Sequence, residues 1–346
     1  MKVLFVGLGG IGQRHLRNLR TIIPDLEVGA IRTKGRTFEI SNELIPDYNT
    51  NIISKYNIKT FASINEAVTF EPDFAVVTNP TSAHIRTVNE LVNNKIPAFM
   101  EKPISDNYDG LDQLLKNSEE NNIPVMIGYM MRFHPCSVKL NNILRDERLG
   151  KIYSVVLMVN SYMPGWHKYE KYNEYYVGQK CLGGGVVLTE IHELDLLHWF
   201  FGSPKKLSVV GGKLSSLDID VEDTVSVLCE QEFNENRFPV NISMSFVQQA
   251  PYRRMLVFGE FGKIEWDIMR SEIVVEDIVH DVKETYNDPG FERNDMFIKE
   301  MEHFIECLSS KRTPITALQN VIDGHLTALK IKTSLEQAAV GSTKND

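Results

Sequence analysis

"KVLFVGLGGIGQRHLRNLR" (Lys2–Arg20) decides the fold. An unbroken apolar run reaches Gly7, glycine interrupts it, and Ile11, Leu16, Leu19 and Ile23 then recur near helical spacing. A strand, a tight turn and a helix follow from that pattern. Gly7, Gly9 and Gly12 form G-x-G-x-x-G across the turn. Alone the motif is weak, because glycine is common in turns. Between a strand and a helix it permits a sharp bend and close approach of backbone to a pyrophosphate, which then meets helix N–H groups. A dinucleotide is therefore expected over this turn, with Gly10 and Ile11 counted among its contacts.

Working outward, "LEVGAIR" (Leu26–Arg32), "DFAVVTNP" (Asp73–Pro80), "IPAFMEKP" (Ile96–Pro103) and "IPVMIGYMMRF" (Ile123–Phe133) are further apolar runs. Amphipathic stretches such as "SAHIRTVNELVNN" lie between them, so βαβ units and a parallel sheet are expected. Beyond about Gly150 the texture changes. "KIYSVVLMVNSY", "DTVSVLCEQEF", "FPVNISMSFVQQ" and "RRMLVFGEFGKIEWDI" are strand-like, and "GEFG" (Gly259–Gly262) reads as a hairpin turn within a mostly antiparallel meander. "RNDMFIKEMEHFIECLSS" and "ALQNVIDGHLTALKIKTSLEQAA" read as two helices, and the tail "GSTKND" is expected to fray. A chain of 346 residues exceeds one compact core, so two domains are expected, 1–125 and 126–346. The predicted class is α/β: a parallel dinucleotide-binding sheet, then an α/β domain with a large antiparallel sheet.

Composition narrows the function. The chain is 42% hydrophobic and 24% charged, ordinary for a globular protein, and its formal net charge of -9 offers nucleic acid or an anionic membrane no general attraction. Cys136, Cys181, Cys229 and Cys307 are far apart without a C-x-x-C, which argues for a reducing compartment and against a thiolate metal site. No apolar run approaches a membrane span. A cytoplasmic protein without a metal is expected.

The strand ends carry the chemistry. Where a carboxylate would bind the ribose hydroxyls of NAD, this chain has Arg32, with Thr33, Lys34 and Arg36 behind it. Cations there suit a 2′-phosphate, so NADP is preferred over NAD; a solvated basic loop is the competing reading. "TNPTSAH" ends another strand and places Thr78, Asn79, Pro80 and His84 at the cofactor edge, although ordinary loop chemistry also explains it. "MEKP" sets Glu101 and Lys102 beside a stiff turn, where the ammonium either faces the cleft or pairs with Glu101. In "CLGGGVVLTEIHELDLLHWFFG" (Cys181–Gly202), Gly183, Gly184 and Gly185 allow close backbone approach before a helix carrying His192, Glu193 and Asp195. The next histidine is His198, so the spacing is not H-E-x-x-H and a zincin site is rejected. His192 is either a cleft residue or a helix histidine satisfied by a carboxylate.

Together "GLGGIGQRHLRNL", "TNPTSAH", "MEKP", "GYMMRFHP", "LGGGVVLTEIHELD" and "VFGEFGKIEWD" resemble the glucose–fructose oxidoreductase / inositol dehydrogenase (Gfo/Idh/MocA) family over nearly the whole chain. The resemblance implies a Rossmann domain followed by an α/β domain whose large, mostly antiparallel, open-faced sheet makes dimers or tetramers. It also implies oxidation or reduction of a hydroxyl or ketone on sugars, sugar nucleotides or cyclitols with a nicotinamide cofactor. The family's E-K-P lysine, near nicotinamide and substrate, matches Lys102, and its acid/base histidine matches His192. Relatives carry an Asp three or four residues before that histidine. Here those positions are Thr189 and Leu188, with Glu190 or Glu193 as possible substitutes. Tyr129, Trp166, His167, Tyr169, Tyr176 and Thr189 are candidates for the sugar pocket, and Arg132 for the cofactor. Two rivals stand beside this reading: a redox-neutral glycosidase using NAD transiently, and a non-catalytic NADP-binding sensor. Apolar alternation at Ile242, Met244 and Phe246 suggests an exposed sheet face buried in a homodimer or homotetramer.

Overall fold

The computed structural model describes residues 1–33 and 35–342, so Lys34 and residues 343–346 of the tail lie outside the described residues. The first apolar run is β1 (Lys2–Val6), and α1 (Gly10–Ile22) leaves it through the glycine turn. β2 (Glu27–Ile31) returns alongside; β3 (Phe38–Ile40) and β4 (Pro46–Asn51) form a separate pair, followed by α2 (Ile52–Lys55) and β5 (Lys59–Phe61). Then α3 (Ile64–Ala67) precedes β6 (Phe74–Val77), α4 (His84–Asn93) precedes β7 (Ala98–Glu101), and α5 (Leu111–Glu120) precedes β8 (Val125–Gly128).

Six strands pair in parallel in the order β5-β2-β1-β6-β7-β8. Successive side chains enter different cores: Leu4, Val6, Ala75 and Val77 one, Val3, Phe5, Phe74 and Val76 the other. Burial on both faces explains the continuous apolar runs. The order reverses between β1 and β6, which opens a crevice at their carboxyl ends.

The second sheet begins after α6 (Pro135–Arg145) with β9 (Ile152–Tyr162); α7 (Val186–Thr189) and α8 (His192–Phe201) follow. Its other strands are β10 (Lys206–Gly212), β11 (Thr224–Phe233), β12 (Asn236–Ser245), β13 (Val247–Gly259), β14 (Gly262–Asp267), β15 (Glu272–Asp277) and β16 (Val282–Asn287). Eight strands run β10-β11-β12-β9-β13-β14-β15-β16, antiparallel except for β12 with β9. One expectation reverses here. Ile242, Met244 and Phe246 are 1%, 0% and 0% exposed, because they point inward with Val155, Leu157 and Val240. The open face carries Val210, Leu228 and Phe258, which are exposed.

Two long helices close the chain, α9 (Arg293–Ser310) and α10 (Leu318–Ser342). α9 returns to the first sheet: Met301 and Phe304 join the core of Val3 and Phe5, and Asn294 accepts a hydrogen bond from Arg14 of α1. The first sheet also extends past residue 125, since β8 starts there. Among the described residues no helix is long and apolar enough to cross a membrane.

Candidate active site

At the crevice Gly7 takes φ +100°, and a methyl group on it would stand 2.9 Å from the Thr78 and Asn79 backbone. Thr78 reaches across, its Oγ1 donating to the Gly7 carbonyl at 2.9 Å. The end of β6 therefore locks the glycine turn. Gly9 caps α1, with nothing within 4 Å of where its side chain would start. No side chain caps that helix and its first turn has no acid, so its N–H groups are available to an anion. These residues fit a dinucleotide pyrophosphate. Ile11 is half-buried behind them, against the core.

The flanking loops are tied to one another. His84 is buried, with Nδ1 2.7 Å from the Pro103 carbonyl and Nε2 2.9 Å from the Asn79 carbonyl. It braces the segments that follow β6 and β7. Asn79 donates to Thr87, and its own Oδ1 is buried without a partner. Pro80 follows, half-buried.

At the end of β2, Arg32 is half-buried, with no carboxylate partner among the described residues, and Thr33 is exposed. Arg36 donates to Glu170 at 2.7 Å. The loop after β9 thus reaches the first sheet. The Tyr169 hydroxyl lies 3.0 Å from where a Gly10 side chain would start, and the His167 and Tyr169 rings stack at 4.9 Å. Tyr169, expected in the sugar pocket with His167, thus stands by the glycine turn. Trp166 packs edge-on against Phe246, which makes it a core contact.

Lys102 follows β7. The adjacent Glu101 sets Oε1 2.7 Å from His15 Nε2 and accepts from the Lys102 backbone N–H through Oε2 at 3.2 Å, so the two side chains do not form an ion pair. Lys102 Nζ donates to the Thr189 carbonyl at 2.6 Å, and among the described residues no carboxylate lies within ion-pair distance of it. Burial lowers its pKa, opposed by the Glu190 and Glu101 carboxylates. His192 is the first residue of α8 and is buried, its Nδ1 without a partner. Burial, then the charges of Lys102, Arg253 and Arg293, hold its pKa well below the ordinary value, so the imidazole is neutral. The Tyr129 ring meets it edge-on at 6.1 Å, its hydroxyl buried without a partner. Tyr176 is half-buried, and burial, reinforced by Glu101, pushes its hydroxyl up to about 12.

The glycine run brings α7 and α8 to this edge. Gly185, at φ +113°, lets the backbone pass the Glu222 carboxylate, which accepts from Val187 N at 3.2 Å. Thr189 turns its hydroxyl back to the Gly185 carbonyl, and Leu188 is fully buried. Neither supplies an acid. Glu193 is buried and held by Arg253 at 2.6 Å, whereas Glu190 is half-buried, 3.5 Å from Ser161 Oγ. Arg253 is the residue the sequence reading missed. It sits opposite Val159 on the inward face of β13, and its signal is a charge interrupting the apolar alternation of Met255 and Val257.

Arg132 follows the carboxyl end of β8. Its guanidinium is buried and grips Asp195 in two directions, at 2.7 and 3.0 Å, with the Trp199 ring 5.5 Å away. It fastens α8. Beneath the site, ligand atoms of His15, Glu101 and Glu300 lie within 4.8 Å of one another. Burial and the neighbouring Glu101 hold the Glu300 carboxyl well above the usual range.

A family model described as an oxidoreductase family with an NAD-binding Rossmann fold matches residues 1–129, and one for the GFO/IDH/MocA C-terminal domain matches residues 137–265. The chain is 24% identical to inositol 2-dehydrogenase of Salmonella paratyphi B, over 99% of this chain and 96% of that one. It is 23% identical to 2,7-anhydro-N-acetylneuraminate hydratase of Mediterraneibacter gnavus, over 66% of this chain but only 57% of that relative's length. UDP-N-acetylglucosamine 3-dehydrogenase GnnA from Acidithiobacillus ferrooxidans shares the fold at TM-score 0.75 and 18% identity, over 97% of this chain and 98% of that one.

Proposed function

The chain belongs to the GFO/IDH/MocA family of NAD-binding oxidoreductases, and from that premise we propose that it moves a hydride to or from a carbinol or carbonyl carbon of a sugar, sugar nucleotide or cyclitol. The observation that carries this reading is the meeting of Lys102, without a carboxylate partner, and a neutral His192 at the carboxyl edge of the first sheet. A bound nicotinamide supplies or takes up the hydride. His192 Nδ1 is sealed from solvent, so Nε2 takes the hydroxyl proton in oxidation and returns it in reduction. Lys102 gives one N–H to Thr189, which orients the ammonium and leaves its remaining donors for the substrate oxygen. Gly7, Gly9, Gly10 and Gly12 would hold the dinucleotide, and Arg32 would favour NADP over NAD. The first sheet carries the cofactor, and the second carries substrate residues and the contact between copies.

A screen of sugars, cyclitols and nucleotide sugars for reduced-nicotinamide absorbance tests the proposal. A substrate that reduces the cofactor at stoichiometric yield supports it; turnover with no net absorbance change overturns it. That second outcome belongs to a redox-neutral reaction, favoured by the relative named as a hydratase and by the absence of an acid at residues 188 and 189.

A further inference from the structure

We propose that Glu170 is a specificity-determining residue of the cofactor site, which occupies the Arg36 guanidinium and so disfavours a dinucleotide bearing a 2′-phosphate. The inference rests on the nicotinamide reading above and deepens it. The cations described at the end of β2 are not equivalent. Arg32 has no carboxylate partner among the described residues, whereas Arg36 meets Glu170 at 2.7 Å. Within that pair the acid is fixed and the base is not: the Glu170 side chain is 7% exposed and that of Arg36 is 37% exposed. His167 Nδ1 holds the other carboxylate oxygen at 3.2 Å. Burial raises the Glu170 pKa, but the hydrogen bonds from His167 and Arg36 outweigh it, so the group stays ionised.

The contact is built into the fold. Residues 167–170 belong to the loop after β9, and this loop is already seated on the glycine turn through Tyr169 beside Gly10 and Phe38. A carboxylate in such a place acts on the choice of ligand. A 2′-phosphate must displace Glu170 from Arg36 and meets its negative charge, while free ribose hydroxyls meet neither cost. Arg32 attracts the phosphate and Glu170 limits that attraction, acting through Arg36.

Fluorescence titration of NADPH and NADH into the wild type, Glu170→Gln, Arg36→Gln and the Arg36→Gln/Glu170→Gln double variant tests this. Glu170→Gln should tighten NADPH about tenfold, the scale of one charge-assisted contact, and change NADH by less than about twofold. In the Arg36→Gln background the same substitution should leave the ratio unchanged. Should Glu170→Gln fail to fold, Glu170→Asp keeps the charge and shortens the reach, and it should shift the ratio in the same direction by a smaller amount. Equal changes for both dinucleotides, an unchanged ratio, or a selective loss of NADH would overturn the proposal. Failure of the nicotinamide reading itself looks different, because the wild type would then bind neither dinucleotide.

Discussion

The Lys102 ammonium is placed by one backbone carbonyl and has no carboxylate partner among the described residues, which is costly unless a ligand oxygen completes its surroundings. Lys102→Met keeps the stem and removes the charge. Cofactor binding should survive while turnover falls by roughly a hundredfold or more, the loss typical of one preorganised donor; near-normal turnover would return the residue to a structural role. His192 makes a prediction about pH. Its folded-state pKa lies well below that of a free histidine, so the neutral base persists as pH falls through about 6.5. The acid limb of kcat/KM for oxidation should lie below that value, and a limb at or above it would contradict the assignment. The position of Lys102 after β7 and of His192 at the start of α8 was legible because each sits in a short motif at an element's end. The contacts of Arg132, His84 and His167 were not legible, because their partners, Asp195, two loop carbonyls and Glu170, are distant or backbone groups that spacing does not reveal.

Elements arrive at the site by close backbone approach. The G-x-G-x-x-G turn was readable as strand, turn and helix because periodicity changes across it, and the glycine run before α7 was readable as a place of contact. What it contacts was not, since Glu222 lies far along the chain. The same holds for α9, whose amphipathic pattern shows a buried face without saying which sheet buries it. Its Glu300 supplies a test. In the folded state this carboxyl keeps its proton above the unfolded value near 4.3, so the folded state binds more protons there and stability declines as pH rises. Glu300→Gln removes that decline. Urea midpoints at pH 5 and pH 8 should converge in the variant relative to the wild type; a variant that loses stability more steeply with rising pH would contradict the protonated assignment.

At the scale of the molecule, two sheets could be inferred because runs buried on both faces read differently from a meander with one open face. Alternation at Ile242, Met244 and Phe246 was taken for a face left open to a second copy, but period-two spacing does not say which face of a sheet is covered, and these three side chains lie in the core. The face available to a second copy is the one bearing Val210, Leu228 and Phe258. Light scattering should give a multiple of 39.5 kDa, and Leu228→Glu with Phe258→Glu should lower it towards that mass; a monomeric wild type would end this proposal. Hydride transfer between substrate carbon and nicotinamide is the step on which every role above depends. Its most direct measurement uses a substrate from the screen deuterated at the reacting carbon, with mass spectrometry of the recovered cofactor. The nicotinamide should gain one deuterium for each product formed; product accumulating while the recovered cofactor stays free of deuterium would contradict hydride transfer.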